Sequence, residues 1–269
     1  MSEVFQIIEP KSSFVPVLLS IPHLGTEFPE EVRNHYVEEL AAIPDDTDFY
    51  LDQLYDFASE IGITIIQARY SRWLIDLNRD PQNVSLYKDG RMITGLCPRV
   101  DFKGNAIYKS TELEPDEEEL NRRKDAYYFP YHKKISEILQ GWRKEHTHVL
   151  LWDAHSIRAY VKSIQQEKFP QLILGNNDRK SADGKLIDLA LRELGSLGHE
   201  LTHNHPFKGG YITRSKGDPE NGIHALQLEM IKTLYMDDAE ILYHEERAGK
   251  LKPLLKNTLL SLSQLLKSL

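Results

Sequence analysis

Four short apolar runs that stop abruptly at polar residues constrain the fold of this chain more than any other feature. Residues 15–21 (VPVLLSI) end at Pro22-His23, and residues 63–68 (ITIIQA) end at Arg69. Residues 149–152 (VLLW) run into Asp153-Ala154-His155, and residues 172–174 into Gly175-Asn176-Asn177. Runs this short, apolar on both faces, read as buried strands of a mostly parallel sheet. Residues 225–229 (ALQLE) alternate apolar and polar and are a further strand candidate. Helical stretches lie between the runs. Residues 47–61 place Leu51, Leu54, Tyr55, Ala58 and Ile61 at helical spacing, with Gly62 as the expected stop. Residues 114–142 are long and charged, and Pro130 is expected to kink or break them. Residues 185–194 are amphipathic, and leucines recur at helical spacing over residues 251–269. This alternation predicts an α/β fold, three-layer α/β/α around a mostly parallel mixed sheet. A single domain over residues 1–269 is expected. Residues 80–112, with Gly90, Gly95, Pro98 and Gly104 and no apolar period, read as a functional loop or lid. The C-terminal helix is expected to pack on the domain, the alternatives being a membrane-surface or a dimerisation helix.

Charge and cysteine content narrow the chemistry. The 269 residues carry 41 Asp and Glu against 33 Lys and Arg, a formal charge of -8. An acidic surface repels nucleic acid and anionic membrane, so neither is an expected partner. An anionic substrate would need cations placed locally, which draws attention to single arginines. The one cysteine, Cys97, allows neither an internal disulfide nor a cysteine zinc cluster. Any metal must therefore be held by His, Asp and Glu. No secretory signal and no apolar run of the ~20 residues that cross a bilayer is visible, so a cytoplasmic protein is expected. The sequence leaves a homo-oligomer open.

Ligands of open α/β sheets bind outside the carboxyl ends of the strands. His23, His155 and Glu229 all fall at or just past the end of an expected strand. Two histidines and a carboxylate suffice to bind zinc and leave a position for water. Asp48, at the start of the expected helix, is the preferred third ligand, and Glu27 competes with it. Against these stand plainer readings: a strand-end salt bridge for Glu229 and a helix cap for Asp48. His203 and His205 could share a strand face, but an exposed loop before Pro206 is the better reading. Ser156 lacks a nucleophile elbow, and Cys97 lacks any motif. Arg69, Arg72 and Arg79 cluster in ARYSRWLIDLNRD, and Arg214 follows Gly209-Gly210. Such guanidinium groups suit a dicarboxylate, or else structural pairing with Asp76 and Asp80.

LLSIPHLGTEFP, PDDTDFYLDQLYDFA, ARYSRWLIDLNRDP, LWDAHSIR and GGYITRSKGDPENGIHALQLEM, in this order, resemble the motifs of the N-formylglutamate amidohydrolases. The resemblance spans about residues 15–230. It implies hydrolysis of N-formyl-L-glutamate to formate and L-glutamate, as in histidine degradation, on a fold like that of zinc carboxypeptidases and aspartoacylase. It implies His23 and His155 as ligands of one zinc ion, Glu229 as general base and Arg72 as the group polarising the scissile carbonyl. Asn78 and Arg79 would grip a substrate carboxylate, and Arg214 would join Arg79 in holding the glutamate portion. The wider superfamily places a Glu three residues after the first His. Here that position is Thr26, followed by Glu27, and Asp48 in DTDF is the preferred ligand. Another N-acyl acidic amino acid as substrate, or a non-catalytic binding homologue, are the competing readings.

Overall fold

A computed structural model describes residues 4–87 and 94–269. Among them, strands β1 (Phe5–Ile8), β2 (Val17–Ile21), β3 (Thr64–Ala68), β4 (Val149–Ile157), β5 (Leu172–Gly175), β6 (Leu201–His203) and β7 (Ile223–Ile231) form one sheet. Their order is β1-β3-β2-β4-β7-β5-β6. The centre, β3-β2-β4-β7, is parallel. β1 joins it antiparallel at one edge, and the mutually parallel β5 and β6 join antiparallel at the other.

Side-chain alternation divides this sheet into two unlike faces. One face carries Leu19, Ile65, Leu150, Trp152, Leu226 and Leu228 into a continuous apolar core. Helices Gly184–Leu194 and Glu245–Leu266 close that core with Leu186, Ala190, Leu251, Leu255 and Leu259. The opposite face carries Leu18, Ile66, Val149, Leu151 and Ala225, which pack under the helical run 117–142 with Tyr128, Tyr131, Ile135 and Leu139. The helices thus flank the sheet on both sides, and the three-layer architecture holds.

Several local expectations change. Residues 47–61 do not form one helix: a helical turn spans Leu51–Leu54 and a 3-10 turn Ser59–Ile61. The preceding polar groups are committed elsewhere, since Asp46 accepts from Trp73 Nε1 at 3.0 Å and from Phe102 N at 3.1 Å. Asp48 therefore sits in a loop and caps no helix. Gly62 does end the segment, at φ +89°, a backbone that glycine adopts without strain. Pro130 does not break the long run. Helix Glu117–Arg123 passes through a π turn, Lys124–Tyr128, into helix Phe129–Trp142, whose first turn needs no proline N–H. The C-terminal helix starts at Glu245, before the leucine pattern begins, and ends at Leu266. Leu251, Leu254, Leu255, Leu259, Leu262 and Leu266 are buried in the core. In the expected loop 80–112, residues 88–93 lie outside the described residues. No described helix is long and apolar enough to cross a membrane.

Candidate active site

The site is a polar belt on an otherwise apolar face. Along β4 the side chains of that face read Val149, Leu151, Asp153, His155, Ile157; along β7 they read Ile223, Ala225, Gln227, Glu229, Ile231. The two strands pair in parallel register, Asp153 beside Gln227 and His155 beside Glu229. Four polar residues are thus bracketed by apolar ones. His155 and Glu229 stand inside their strands, because β4 and β7 continue to residues 157 and 231.

His23 lies two residues beyond β2, which neighbours β4, and its ring centroid is 5.0 Å from that of His155. Asp48 N donates to His23 O at 2.9 Å, which carries the Asp48 carboxylate between the rings. Lys232 Nζ, donating to Asp45 O at 3.1 Å, and the bonds to Asp46 fix the loop from both sides. Asp48 Oδ2 stands 3.2 Å from His155 Nδ1 and 3.7 Å from His23 Nδ1. One ligand atom each of His23, Asp48 and His155 lies within 4.8 Å of the others, and all three residues are buried.

Both histidines are oriented through their second nitrogen. His23 Nε2 is 2.7 Å from Asp76 Oδ1, and His155 Nε2 is 3.1 Å from Asp153 Oδ2. A carboxylate there would keep the proton on Nε2 and leave Nδ1, which faces Asp48, free to bind a metal, the arrangement metal-ligating histidines use. His23 Nδ1 is buried with no hydrogen-bond partner. An orphaned acceptor in a dry site is costly, and a metal ion between His23, Asp48 and His155 would satisfy it. The donor set, two imidazoles and a carboxylate, suits zinc.

The titration behaviour agrees with a site built around charge. Burial lowers the His155 pKa, but Asp153 and Asp48 outweigh it and hold the group well above its ordinary value. Burial, with the Arg72 charge, lowers His23. Burial would raise Asp76, yet Arg72, His23 and Arg79 hold it well below the usual carboxylate range. Glu229 has no such cluster of cations. Burial, reinforced by Asp48 and opposed by His155 and Arg72, pushes it up to about 8. A carboxyl poised near neutrality in a cavity is suited to exchanging protons.

The arginines separate into front and rear. Arg72 lines the cavity, donates from Nη2 to Asp76 Oδ2 at 2.6 Å and lies 5.2 Å from the centre of the Phe102 ring. Arg79 also lines it, with Nε 3.4 Å from Asp76 Oδ2 and Nη2 donating to Thr94 Oγ1 at 2.9 Å. Asn78 reaches the cavity while accepting from Ile212 N at 2.8 Å, and its Nδ2 lies 3.0 Å from His155 Nε2. Gly210 must be glycine for this, since a Cβ there would sit 2.3 Å from Asn78 Nδ2. Arg214 is set behind the wall: Nε donates to Gly209 O at 2.7 Å, and the guanidinium lies 5.2 Å over the Tyr87 ring, which itself faces the cavity.

The remaining candidates fall elsewhere. Glu27 is half exposed and paired with Arg69 at 2.9 Å. His203 lies on β6 against Asn176. Ser156 receives the Tyr235 hydroxyl proton at 2.8 Å and faces Asp48 at 3.4 Å, with no histidine to activate it. Cys97 is buried, which pushes its thiol up to about 11. Sequence reasoning gave no role to Asp153, Gln227 or the Asp76–His23 contact. For Asp153 the signal was available: in D-A-H on a strand, Asp and His share a face.

Known proteins align with the chain throughout. The model of the N-formylglutamate amidohydrolase family matches residues 15–236. The N-formylglutamate deformylase of Pseudomonas putida is 38% identical over 252 residues, 92% of each chain. That of Pseudomonas aeruginosa is 37% identical over 261 residues, 96% of each. The crystal structure of N-formylglutamate amidohydrolase from Ralstonia eutropha JMP134 superposes with a TM-score of 0.80 at 25% identity, covering 98% of both chains.

Proposed function

The chain belongs to the N-formylglutamate amidohydrolase family and hydrolyses N-formyl-L-glutamate to formate and L-glutamate, and we propose that it does so with one divalent metal, zinc by its donor set, held by His23, Asp48 and His155. The observation that carries this is the orphaned His23 Nδ1, which faces Asp48 while Asp76 holds the other ring nitrogen. A metal there would polarise the amide carbonyl and lower the pKa of a water toward ~7.

The protein groups divide the remaining work. Glu229, beside His155 in register, takes the proton from the attacking water and delivers it to the departing amine. Arg72, held in place by Asp76, offsets the negative charge that grows on the carbonyl oxygen. Arg79 takes one substrate carboxylate, with Asn78 at its side. Arg214, whose buried Nη2 has no hydrogen-bond partner, adds a cation behind Tyr87 on the side of the second carboxylate. Asp153 and Asp76 orient the histidines.

Metal analysis of purified protein, paired with formate release from N-formyl-L-glutamate before and after chelation, tests the reading. About one divalent ion per chain, and loss of activity on its removal, is the expected result. Full turnover in protein shown to be metal-free would sink the metal reading and leave family membership intact.

A further inference from the structure

One side of the cavity is apolar. Ile157 follows His155 on the same face of β4, Ile231 follows Glu229 on β7, and Ile173 on β5 stands beside Glu229 in register. These three isoleucines belong to a small buried cluster, against which Phe102, Ile164 and Phe207 pack half-buried. Phe102, Ile157, Ile164 and Phe207 line the cavity. The loops that supply them are tied down. Phe102 N donates to Asp46 Oδ1 at 3.1 Å, and Phe102 O accepts from Ser163 Oγ. Ile164 N donates to Val161 O at 2.9 Å, and the Phe207 ring stacks on Phe169 at 5.4 Å.

The reacting carbon of an amide carries three substituents in one plane. On the hydrolase reading above, its oxygen faces Arg72 and its nitrogen leads to the glutamate portion and Arg79. Arg79 donates to Thr94 Oγ1, whereas the guanidinium that Phe102 packs against is that of Arg72. The third substituent, the one that defines the acyl group, is left the direction of the apolar wall beside Arg72 and Glu229. We propose that Phe102, Ile157, Ile164 and Phe207 form an acyl stop, which accommodates the hydrogen of a formyl group and excludes a methyl or anything larger. This inference rests on the hydrolase reading. An added methyl has to displace side chains that pack against the buried isoleucine cluster, and such overpacking is unfavourable.

Specificity constants for N-formyl-, N-acetyl- and N-propionyl-L-glutamate, and for N-formyl-L-aspartate, test it in wild type, Ile164→Ala and Phe207→Ala. Wild type should fall steeply from formyl to propionyl. Each variant should raise the acetyl-to-formyl ratio by about 10–100-fold, the range a methylene-sized change in a pocket commands. The aspartate-to-glutamate ratio should not move. Ratios within one variant cancel any loss of folded or metal-loaded protein. Ile164→Val, which removes a single methyl, should shift the ratio in the same direction by less and serves if an alanine variant does not fold. An acetyl-to-formyl ratio unmoved in every variant overturns the proposal. So does a change confined to the aspartate-to-glutamate ratio, which would turn the wall toward the amino-acid side chain. A wild type inactive on every substrate overturns the hydrolase reading and the stop with it.

Discussion

Among the described residues two pairs of histidine rings meet, at opposite ends of the central parallel strands, and only one pair has the makings of a metal site. At the start of β4 and β7, His148 and His224 stack with centroids 5.2 Å apart and planes 14° apart. Toward the far end of β4, His155 meets His23, which follows β2, at nearly the same separation, tilted by 53°. The difference is what occupies each nitrogen. His224 Nδ1 accepts the Asp183 backbone N–H at 3.2 Å, so its proton is on Nε2, directed at His148 Nδ1 3.0 Å away. That pair satisfies itself. His23 and His155 instead turn their Nε2 atoms to Asp76 and Asp153 and leave both Nδ1 atoms facing Asp48. Proximity of two imidazoles is thus a poor sign of metal binding, and carboxylates on both sides of each ring are a good one.

The comparison breaks most visibly at Glu229, which we propose serves the reactive end as a base and not as a ligand. Glu229→Gln should lower turnover by roughly 10²–10⁴-fold while metal content stays near wild type. Steady-state kinetics with metal analysis reads both, and metal lost in step with activity would make Glu229 a ligand. A smaller effect is expected at Asp153. Asp153→Asn weakens the partner of His155 Nε2 and should reduce metal affinity by about 10–100-fold. Competition with a chelator of known affinity measures it, and an unchanged affinity would break the contrast between the two pairs.

The smallest effect sharpens the other end. Burial, helped by His148, lowers the His224 pKa to about 4, below the ordinary ~6.5. The unfolded chain therefore binds more protons across that interval. The stability due to neutral His224 is complete above about pH 6.5 and is lost as pH falls toward 4, on the order of 2–3 kcal/mol in all. His224→Asn retains an acceptor near Asp183 N but no titration. Metal-free wild type should lose more thermal stability than the variant between pH 6.5 and 4, as followed by circular dichroism, and parallel acid limbs would refute the assignment.

The strands were readable because their cores are apolar on both faces, and so were His23, Asp48 and His155 as a converging set. What misled was the same polar belt. β4 was expected to stop at Trp152 because Asp153 and His155 replace apolar side chains on one face, yet Ala154 and Ser156 continue the other. The helix over residues 47–61 failed for a related reason, since Asp46 and Asp48 answer to Trp73, Phe102 and His155 instead of to a helix start. Edge strands β1 and β6 are short and carry little apolar signal. The set-back of Arg214 and the apolar wall depend on how distant loops pack, which no local pattern encodes.

The pairing of β4 with β7 has a consequence for how such a protein tolerates change. Asp153, His155, Gln227 and Glu229 face one side because Trp152, Ala154, Leu226 and Leu228 are held in grease on the other. A slip of one residue would turn all eight side chains over at once, stranding charges in the oily layer and leucines in the cavity. Catalytic alignment is therefore policed by ordinary hydrophobic packing on the far side of the sheet. Substitutions in the layer under helix Glu245–Leu266 that disturb this packing reach the cavity without touching it.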